Sequence, residues 1–380
     1  MRKPKPISRK KIIFLLTLNC FLLSFTWGQI PIPEHGEDYH IENFKTRIIE
    51  IKPSNTVIKF THVDSILIND ARPDTLSVGL TQQNSQKPFF LVFSQDFATE
   101  LVEFVNAHTV YGRSNSLSVV MVIKKFWISG GLDNDMNEHI RKTGYADTIA
   151  EKLASLQVRI EFFLKKDTDY YALFRFDSTF SKNIIVSRNA SGLIPEAVEA
   201  ALTKLSEMDA ELPTAALKRR KFSWQEIEAH NLKRFDIPIL KDTTLVPGVY
   251  LSFQEFKENN PSQREYEVGK DKLTDMVFIK GSDGKMTPTR FSWGYCDGKN
   301  LFIKSRDNYF RLQRRGNAFY TYASREYKRK KVVYIPGLAI ISSATVGGPA
   351  TATGPAETNT EHYTLKLKPF ELDWESGELK

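Results

Sequence analysis

Tight turns between short alternating runs are the feature of this sequence that most restricts its fold. Asp-Gly pairs stand at 283–284 and 297–298, and Arg315-Gly316-Asn317 separates two further runs. An Asp-Gly pair flanked by alternating apolar and polar residues favours a β-hairpin with a two-residue turn. The pattern therefore predicts a β-rich meander domain over residues 248–380, with a flexible loop at 336–357.

Residues 56–208 combine strand-like runs with two segments that have the apolar period of an α-helix. One helical segment begins after Asp96, a good N-cap residue, and the other near Pro195, which suits a first turn. We predict an α+β fold, in which an N-terminal sheet covered by two helices is followed by the β-rich meander domain. Residues 209–247 are predicted to be a linker with one short helix near Phe222–Leu232.

The first 28 residues have the layout of an export signal. Six cationic residues precede a mostly apolar run from Ile12 to Phe25, which is shorter than a membrane-spanning helix requires. Small residues favour cleavage after Gly28, and an uncleaved anchor is the alternative. We expect a signal peptide at 1–28, a lead-in segment at 29–55, and no spanning helix once the signal is removed. The expected location is periplasmic or extracellular, with association with the cell envelope as one form of it.

The overall charge does not indicate a nucleic-acid-binding protein. The chain has 53 Lys and Arg residues against 45 Asp and Glu residues, a formal net charge of +8. Six of the cations lie in the predicted signal peptide, so the remaining chain carries a net charge of about +2. We therefore predict that nucleic acid is not a partner.

One short motif and the order of the elements resemble those of known envelope proteins. The features are Asp70-Ala71-Arg72-Pro73, Gly79, an amphipathic helix, a run ending in Phe126-Trp127-Ile128, and a helix near Ala197–Leu205. In these features residues 56–208 resemble the YajG-like envelope lipoproteins and are similar in layout to transport-auxiliary lipoproteins. The resemblance implies a periplasmic α+β domain with no known catalysis, and this chain departs from the family in having no lipidated cysteine.

Two other interpretations accompany this resemblance. Asp70 and Arg72 are interpreted as turn-forming and charge-pairing residues and not as a site. The stretches 248–253 and 293–299 look like uncharacterised secreted proteins of Bacteroidota type. Within the second stretch, Trp293 and Tyr295 alternate with small residues and are predicted to lie on one face of a strand.

The sequence contains no familiar catalytic motif. HExxH, paired CxxC, a Walker-type glycine loop and the GxSxG elbow do not occur after the predicted signal. Cys296 is interpreted as a buried small residue, and 133–138 as an acidic turn that lacks two features of a calcium loop. We predict no cofactor, no metal and no enzymatic activity. The predicted function is that of an exported, non-catalytic cell-envelope protein with a binding or assembly role. An exported hydrolase with a site between the two domains is the alternative.

A cationic and aromatic segment at 311–331 is the candidate binding site. It contains eight cations and four aromatic residues but a single acid, Glu326. Such a segment suits an anionic lipid or glycan surface, although a solvated strand face gives the same pattern. The predicted partners are such a surface or an envelope protein, and a membrane-surface binding protein is a further alternative function. The candidate binding residues are Arg314, Arg315, Arg325, Lys328, Arg329, Lys330, Lys331, Tyr320 and Tyr322.

Overall fold

The computed structural model describes residues 40–82, 88–112, 117–130, 153–183, 190–271, 274–289, 291–305, 308–333 and 359–379. The predicted signal peptide, the acidic turn at 133–138 and the loop predicted at 336–357 therefore lie outside the described residues. The predicted mixed α+β class is confirmed, and strands predominate over helices in the described residues.

The strands of the first half are β1 (Lys45–Ile48), β2 (Ile58–Lys59), β3 (Val63–Asp70), β4 (Gly79–Thr81), β5 (Phe89–Val92), β6 (Thr109–Val110), β7 (Leu117–Gly130), β8 (Leu153–Lys166), β9 (Asp169–Asn183) and β10 (Lys221–Phe222). Eight of them form one sheet in the order β1-β5-β4-β7-β8-β9-β10, and β3 also pairs with β7. β2 and β6 form a separate parallel pair. The hairpin between β8 and β9 turns at Asp167, whose φ of 55° suits a short polar residue.

Two helices share a core with this sheet. They are α1 (Phe97–His108) and α2 (Leu193–Glu207). The Asp96 carboxylate accepts a hydrogen bond of 3.0 Å from the backbone N–H of Thr99, so the predicted N-cap of α1 is confirmed. Leu101 of α1 and Leu202 of α2 are fully buried, and they join the same apolar cluster as Met121 of β7. Burial of this apolar surface is what holds the helices and the sheet together.

Residues 209–247 contain more regular structure than a linker with one helix. Three helices occur there: α3 (Leu212–Lys218), α4 (Trp224–Lys233) and α5 (Pro238–Lys241). Ser223 and Glu226 form a reciprocal capping box, which begins α4 at its observed start. β10 lies just before α4 and extends the first sheet, while Leu240 of α5 is buried in the second core. This part of the chain is therefore built into both halves of the protein.

The second half contains α6 (Phe253–Lys257) and the strands β11 (Gly248–Tyr250), β12 (Tyr266–Asp271), β13 (Thr274–Lys280), β14 (Met286–Pro288), β15 (Gly294–Cys296), β16 (Leu301–Ser305), β17 (Asn308–Arg315), β18 (Ala318–Val333) and β19 (Asn359–Glu371). Six strands form a sheet in the order β11-β15-β16-β17-β18-β19, and β12-β13-β14 form another. The predicted turns are present, with positive φ at Gly284, Gly298 and Gly316.

The prediction that Trp293 and Tyr295 share a strand face is wrong. Trp293 precedes β15, although its backbone still hydrogen-bonds to Tyr250 and Lys304. The Trp293 ring packs on Phe256 at 4.5 Å between centroids, whereas Tyr295 stacks on Phe302 in a different cluster. Cys296, in contrast, is buried as predicted.

A small apolar cluster joins the two halves. It consists of Ile41, Leu80, Phe90, Trp127, Ala318 and Tyr320. The Tyr320 ring of β18 packs against Trp127 of β7 and against Phe90 of β5, with centroids 5.6 and 5.3 Å apart. In keeping with these contacts, the described residues of both halves belong to one compact unit.

The longest helix in the described part of the chain has 15 residues, and no helix there combines the length and the apolar character needed to cross a membrane.

Candidate functional site

A gap in the pairing of β7 creates the framework of the candidate site. β3 runs parallel to β7 as far as Ile123, and β4 joins the same edge only at Ile128. The join is close, because a Cβ on Gly79 would lie 2.4 Å from the Ile128 carbonyl oxygen. The loop 71–78 spans the gap, and a bulge in β7 falls between Ile123 and Lys125. Beside this gap, Lys125 contacts Asp373 and Trp127 contacts Tyr320, both in the other half of the protein.

Arg72 holds the loop 71–78 in shape. Its guanidinium donates two hydrogen bonds of 2.8 Å to the Asp70 carboxylate and one of 2.7 Å to the Ser77 carbonyl oxygen. It also lies over the Phe97 ring, 3.8 Å from the centroid. The interpretation of Asp70 and Arg72 as turn-forming and charge-pairing residues is confirmed, since the donors of Arg72 are used within the loop.

Opposite this loop, the two halves enclose a cavity of about 210 Å³. We call it the inter-core cavity. Its walls come from the loop 71–78, β7, β8, α6, the end of α4 and the segment after β19. Six cationic and four carboxylate side chains line it, together with the rings of Trp127 and Trp374. The charged lining residues are Arg72, Lys124, Lys125, Arg159, Arg234, Lys257, Asp74, Glu371, Asp373 and Glu375.

Four of the lining cations are paired with carboxylates, and Arg72 with Asp70 is the pair already described. Lys125 Nζ lies 2.7 Å from Asp373 Oδ2, and both side chains are mostly buried. Lys124 Nζ lies 2.6 Å from Glu161, yet burial lowers the pKa of Lys124 below its ordinary value. Arg159 forms an ion pair with Glu375, which belongs to the segment after β19. The Asp373 and Glu375 carboxylates are thus neutralised by Lys125 and Arg159.

Arg234 and Lys257 are the cations of the cavity that form no ion pair with any described carboxylate. The Arg234 guanidinium donates only long hydrogen bonds, of 3.5 Å to the Ala71 carbonyl and 3.3 Å to the Lys124 carbonyl. Burial lowers the pKa of Arg234, which means that its surroundings do not compensate the lost hydration. Lys257 lies over the Phe253 ring at 5.0 Å. The lining therefore includes two cations without an ion-pair partner among the described carboxylates.

Glu371 is the carboxylate of the cavity that lacks a partner on one oxygen. The residue is 6% exposed, and its Oε2 is buried without a hydrogen bond. Burial raises the pKa of Glu371 to about 7, with the Asp373 and Asp74 carboxylates adding to the rise and Lys125 and Arg72 opposing it. A buried polar atom left unpaired is costly, so such an atom in a cavity wall indicates a missing partner.

The side chains of the described lining are cationic, acidic, aromatic or aliphatic. No Ser, Thr, Cys or His is among the residues that line the inter-core cavity. Nor does any group of three His, Cys, Asp or Glu side chains suited to a metal ion occur in the ranges that the structure describes. The arrangement provides groups that can bind a ligand: two cations without an ion-pair partner, one carboxyl oxygen without a hydrogen bond, and aromatic walls.

Four of the predicted binding residues have described side chains, and these four do not share one exposed surface. Arg314 donates to the Gly316 and Leu240 carbonyls, and Arg315 lies over the Phe90 ring at 4.0 Å and near Asp74. Tyr320 and Tyr322 are buried, so their inclusion in an exposed binding face is wrong. Their positions in β18 face the first half, whose apolar surface covers them.

The other predicted residues lie further along β18. They are Arg325, Lys328, Arg329, Lys330 and Lys331, and the backbone from Tyr327 to Val333 pairs with Asn359–Leu365 of β19. β17 pairs with β18 only as far as Thr321, so this part of β18 is paired with β19 and, among the described strands, has no partner on its other edge. A role of these cations in binding stays a prediction.

The sequence analysis missed Glu371, Arg234 and Lys257. One signal was available in β7, where Lys124 and Lys125 interrupt an otherwise apolar run. A second was the alternation of Glu371, Asp373 and Glu375 with Phe370, Leu372 and Trp374. That pattern is typical of a strand whose acidic face is exposed to solvent. The sequence does not show that the first half of the protein covers this face.

Comparisons with known proteins do not assign the chain to a family. No family model matches the sequence, and no curated protein does. Among solved structures, the crystal structure of protein XCC0632 from Xanthomonas campestris, described under the family model DUF330, is similar to part of this chain. The match has 8% sequence identity and a TM-score of 0.27, and it covers 46% of this chain and 98% of that one.

Proposed function

We propose that the protein is a non-catalytic binding protein of the cell envelope that takes a small anionic ligand into the inter-core cavity. The observation that carries the proposal is a pair of partly buried cations in the cavity wall, Arg234 and Lys257, that form no ion pair with a described carboxylate. A guanidinium presents several donors in one plane and is well suited to a carboxylate or phosphate group. The envelope location rests on the layout of the first 28 residues and on the resemblance of residues 56–208.

The size of the cavity limits the ligand. Pockets for drug-sized molecules have volumes of roughly 300–1,000 Å³, and this cavity is smaller, at about 210 Å³. Trp127 and Trp374 would cover the apolar part of a small ligand, and the cations would hold its charged group. Because the walls come from both halves, a bound ligand would also hold the halves together.

Thermal unfolding in the presence of small anions tests the proposal. Phosphate, sulfate, acetate and succinate are compared at constant ionic strength, with chloride as the reference. We expect at least one of them to raise the Tm in a saturable manner, because binding to the folded state alone stabilises it. Arg234→Gln should abolish the rise. Lys233→Gln is the matched control, since Lys233 is exposed on α4 next to Arg234 and carries the same charge. An equal response of both variants would contradict the proposal.

The second candidate function is the exported hydrolase with a site between the two halves. The observation that favours it is a carboxyl group with a pKa of about 7 in a cavity, since such a group can act as a general acid or base. The proposal of binding is preferred because Asp373, the nearest candidate for a second carboxylate, is tied to Lys125 and to backbone N–H groups. Turnover of ester, glycoside or peptide substrates that is lost in Glu371→Gln and kept in Glu375→Gln would establish the hydrolase.

A further inference from the structure

We propose that the inter-core cavity binds a small zwitterion, with its acidic group at Arg234 and Lys257 and its ammonium group at the free oxygen of Glu371. This inference rests on the proposed anion binding and adds the class of ligand. It starts from groups of opposite charge in the wall of one cavity: Arg234 and Lys257, which form no ion pair with a described carboxylate, and Glu371, whose Oε2 has no hydrogen-bond partner.

The carboxyl group of Glu371 needs a donor that the protein does not supply. Its neighbouring charges are those of Lys125, Asp373, Asp74 and Arg72. Lys125 is held by Asp373 at 2.7 Å, Arg72 by Asp70, and Asp74 accepts hydrogen bonds from Ser77 and Tyr320. No described group therefore donates to Oε2 of Glu371. An ammonium group has three donors and a positive charge, and it would satisfy this oxygen.

The cations and the carboxyl group come from different elements of the cavity wall. Arg234 follows α4, Lys257 lies on α6, and Glu371 ends β19. A molecule that carries both charges can pair with both kinds of group, while a simple carboxylate leaves Glu371 unpaired.

Calorimetric titration with matched pairs of ligands tests this inference. The pairs are glycine and acetate, β-alanine and propionate, and γ-aminobutyrate and butyrate, which differ within each pair only by the amino group. At about pH 8 we expect one of the amino acids to bind about tenfold more tightly than its partner, a typical effect of one charge-assisted hydrogen bond. Glu371→Gln should remove the difference and leave the affinity for the simple acid within about twofold.

Glu375→Gln is the matched control, because Glu375 also lines the cavity but pairs with Arg159. It should change the affinities within a pair equally and so keep the preference for the amino acid. Should Glu371→Gln fail to fold, the wild-type preference is measured instead at about pH 5.5 and pH 8. The preference must fall at the lower pH, where Glu371 gains a proton, and a constant preference overturns the inference.

The outcomes separate the two proposals. Binding of the simple acids without preference for the amino acids overturns the zwitterion and leaves anion binding in place. Absence of binding for both members of every pair, and for phosphate, overturns both. A preference for an amino acid that survives in Glu371→Gln also overturns the inference, because another group would then hold the ammonium.

Discussion

The Tyr320 hydroxyl donates a hydrogen bond of 2.8 Å to Oδ2 of Asp74 and so joins a strand of the second sheet to a loop of the first. The two residues are 246 positions apart in the sequence, and both are buried. The same Asp74 carboxylate accepts hydrogen bonds from Ser77 and from the Leu76 backbone N–H. This contact therefore connects the loop that forms the cavity wall to the other half of the protein.

Tyr320→Phe should lower the free energy of unfolding by about 2 kcal/mol, because a buried carboxylate loses one charge-assisted hydrogen bond while the ring packing is kept. Urea denaturation measures the change. Tyr266→Phe is the control, since the Tyr266 hydroxyl donates to the neutral Cys296 carbonyl within the second half, and it should cost only about 1 kcal/mol. Equal losses of unfolding free energy for the two variants would show that the hydrogen bond to Asp74 contributes no more than one to a neutral carbonyl.

The ion pair of Lys125 and Asp373 should be strongly coupled. Lys125→Met leaves the Asp373 carboxylate buried without its cation and should cost about 3 kcal/mol, whereas Lys125→Met with Asp373→Asn should recover part of the loss. A double-mutant cycle measures the coupling. Lys221→Met removes the exposed pair with Asp169 and should cost less than about 1 kcal/mol. A coupling energy near zero would contradict the stabilising role given to this ion pair.

The raised pKa of Glu371 has a consequence for stability. Below about pH 4.5, its ordinary value, the carboxyl group is protonated in both the folded and the unfolded chain. Between this pH and about 7, the folded protein keeps a proton that the unfolded chain has lost. The free energy of unfolding therefore falls as the pH rises through this window, by on the order of 3 kcal/mol, and does not change further above it.

Glu371→Gln should remove this pH dependence. Stability curves of wild type and variant from about pH 5 to pH 8 isolate the effect, since the other ionisable groups are common to both proteins. We expect the wild type to lose about 3 kcal/mol relative to the variant across this range. Parallel curves would mean that Glu371 is ionised throughout and that its oxygen has a partner in solution.

The cations of β18 should matter for binding to a membrane surface if the predicted alternative function holds. Lys328, Arg329, Lys330 and Lys331 are changed to Gln together, and cosedimentation with vesicles containing phosphatidylserine is measured at low salt. Each cation near an anionic surface contributes about 1 kcal/mol to the free energy of binding, so the quadruple variant should lose most of its vesicle binding. A control with Gln at Lys218, Arg220, Lys233 and Lys241 has the same charge change. Absence of wild-type binding at low salt would exclude this function.

Local features of this fold could be predicted from the sequence, because they depend on neighbouring residues. The turns at Gly284, Gly298 and Gly316 and the N-cap of α1 at Asp96 follow from the conformational preferences of single residues. The cavity could not be predicted in this way. Its walls bring Asp74 and Glu371 together from distant parts of the chain, and an acidic alternation has the same appearance whether it faces water or another domain.

The orientation of Trp293 could not be predicted from the sequence either, although only a few residues are involved. Its alternation with Tyr295 is that of a strand, but the strand pairing starts one residue later at Gly294. Where a strand begins depends on its neighbour, here Ile303 of β16, and the period of a single run does not contain this information.

The location of a bound anion is the most direct test of the proposed function. Crystals of the protein are soaked with selenate, whose selenium gives an anomalous signal, and the signal is mapped in wild type and in Arg234→Gln. The account predicts a peak inside the inter-core cavity, within hydrogen-bond distance of the Arg234 guanidinium, that is missing in the variant. A cavity without a peak in the wild type, with selenate bound only at exposed lysines elsewhere, would contradict it.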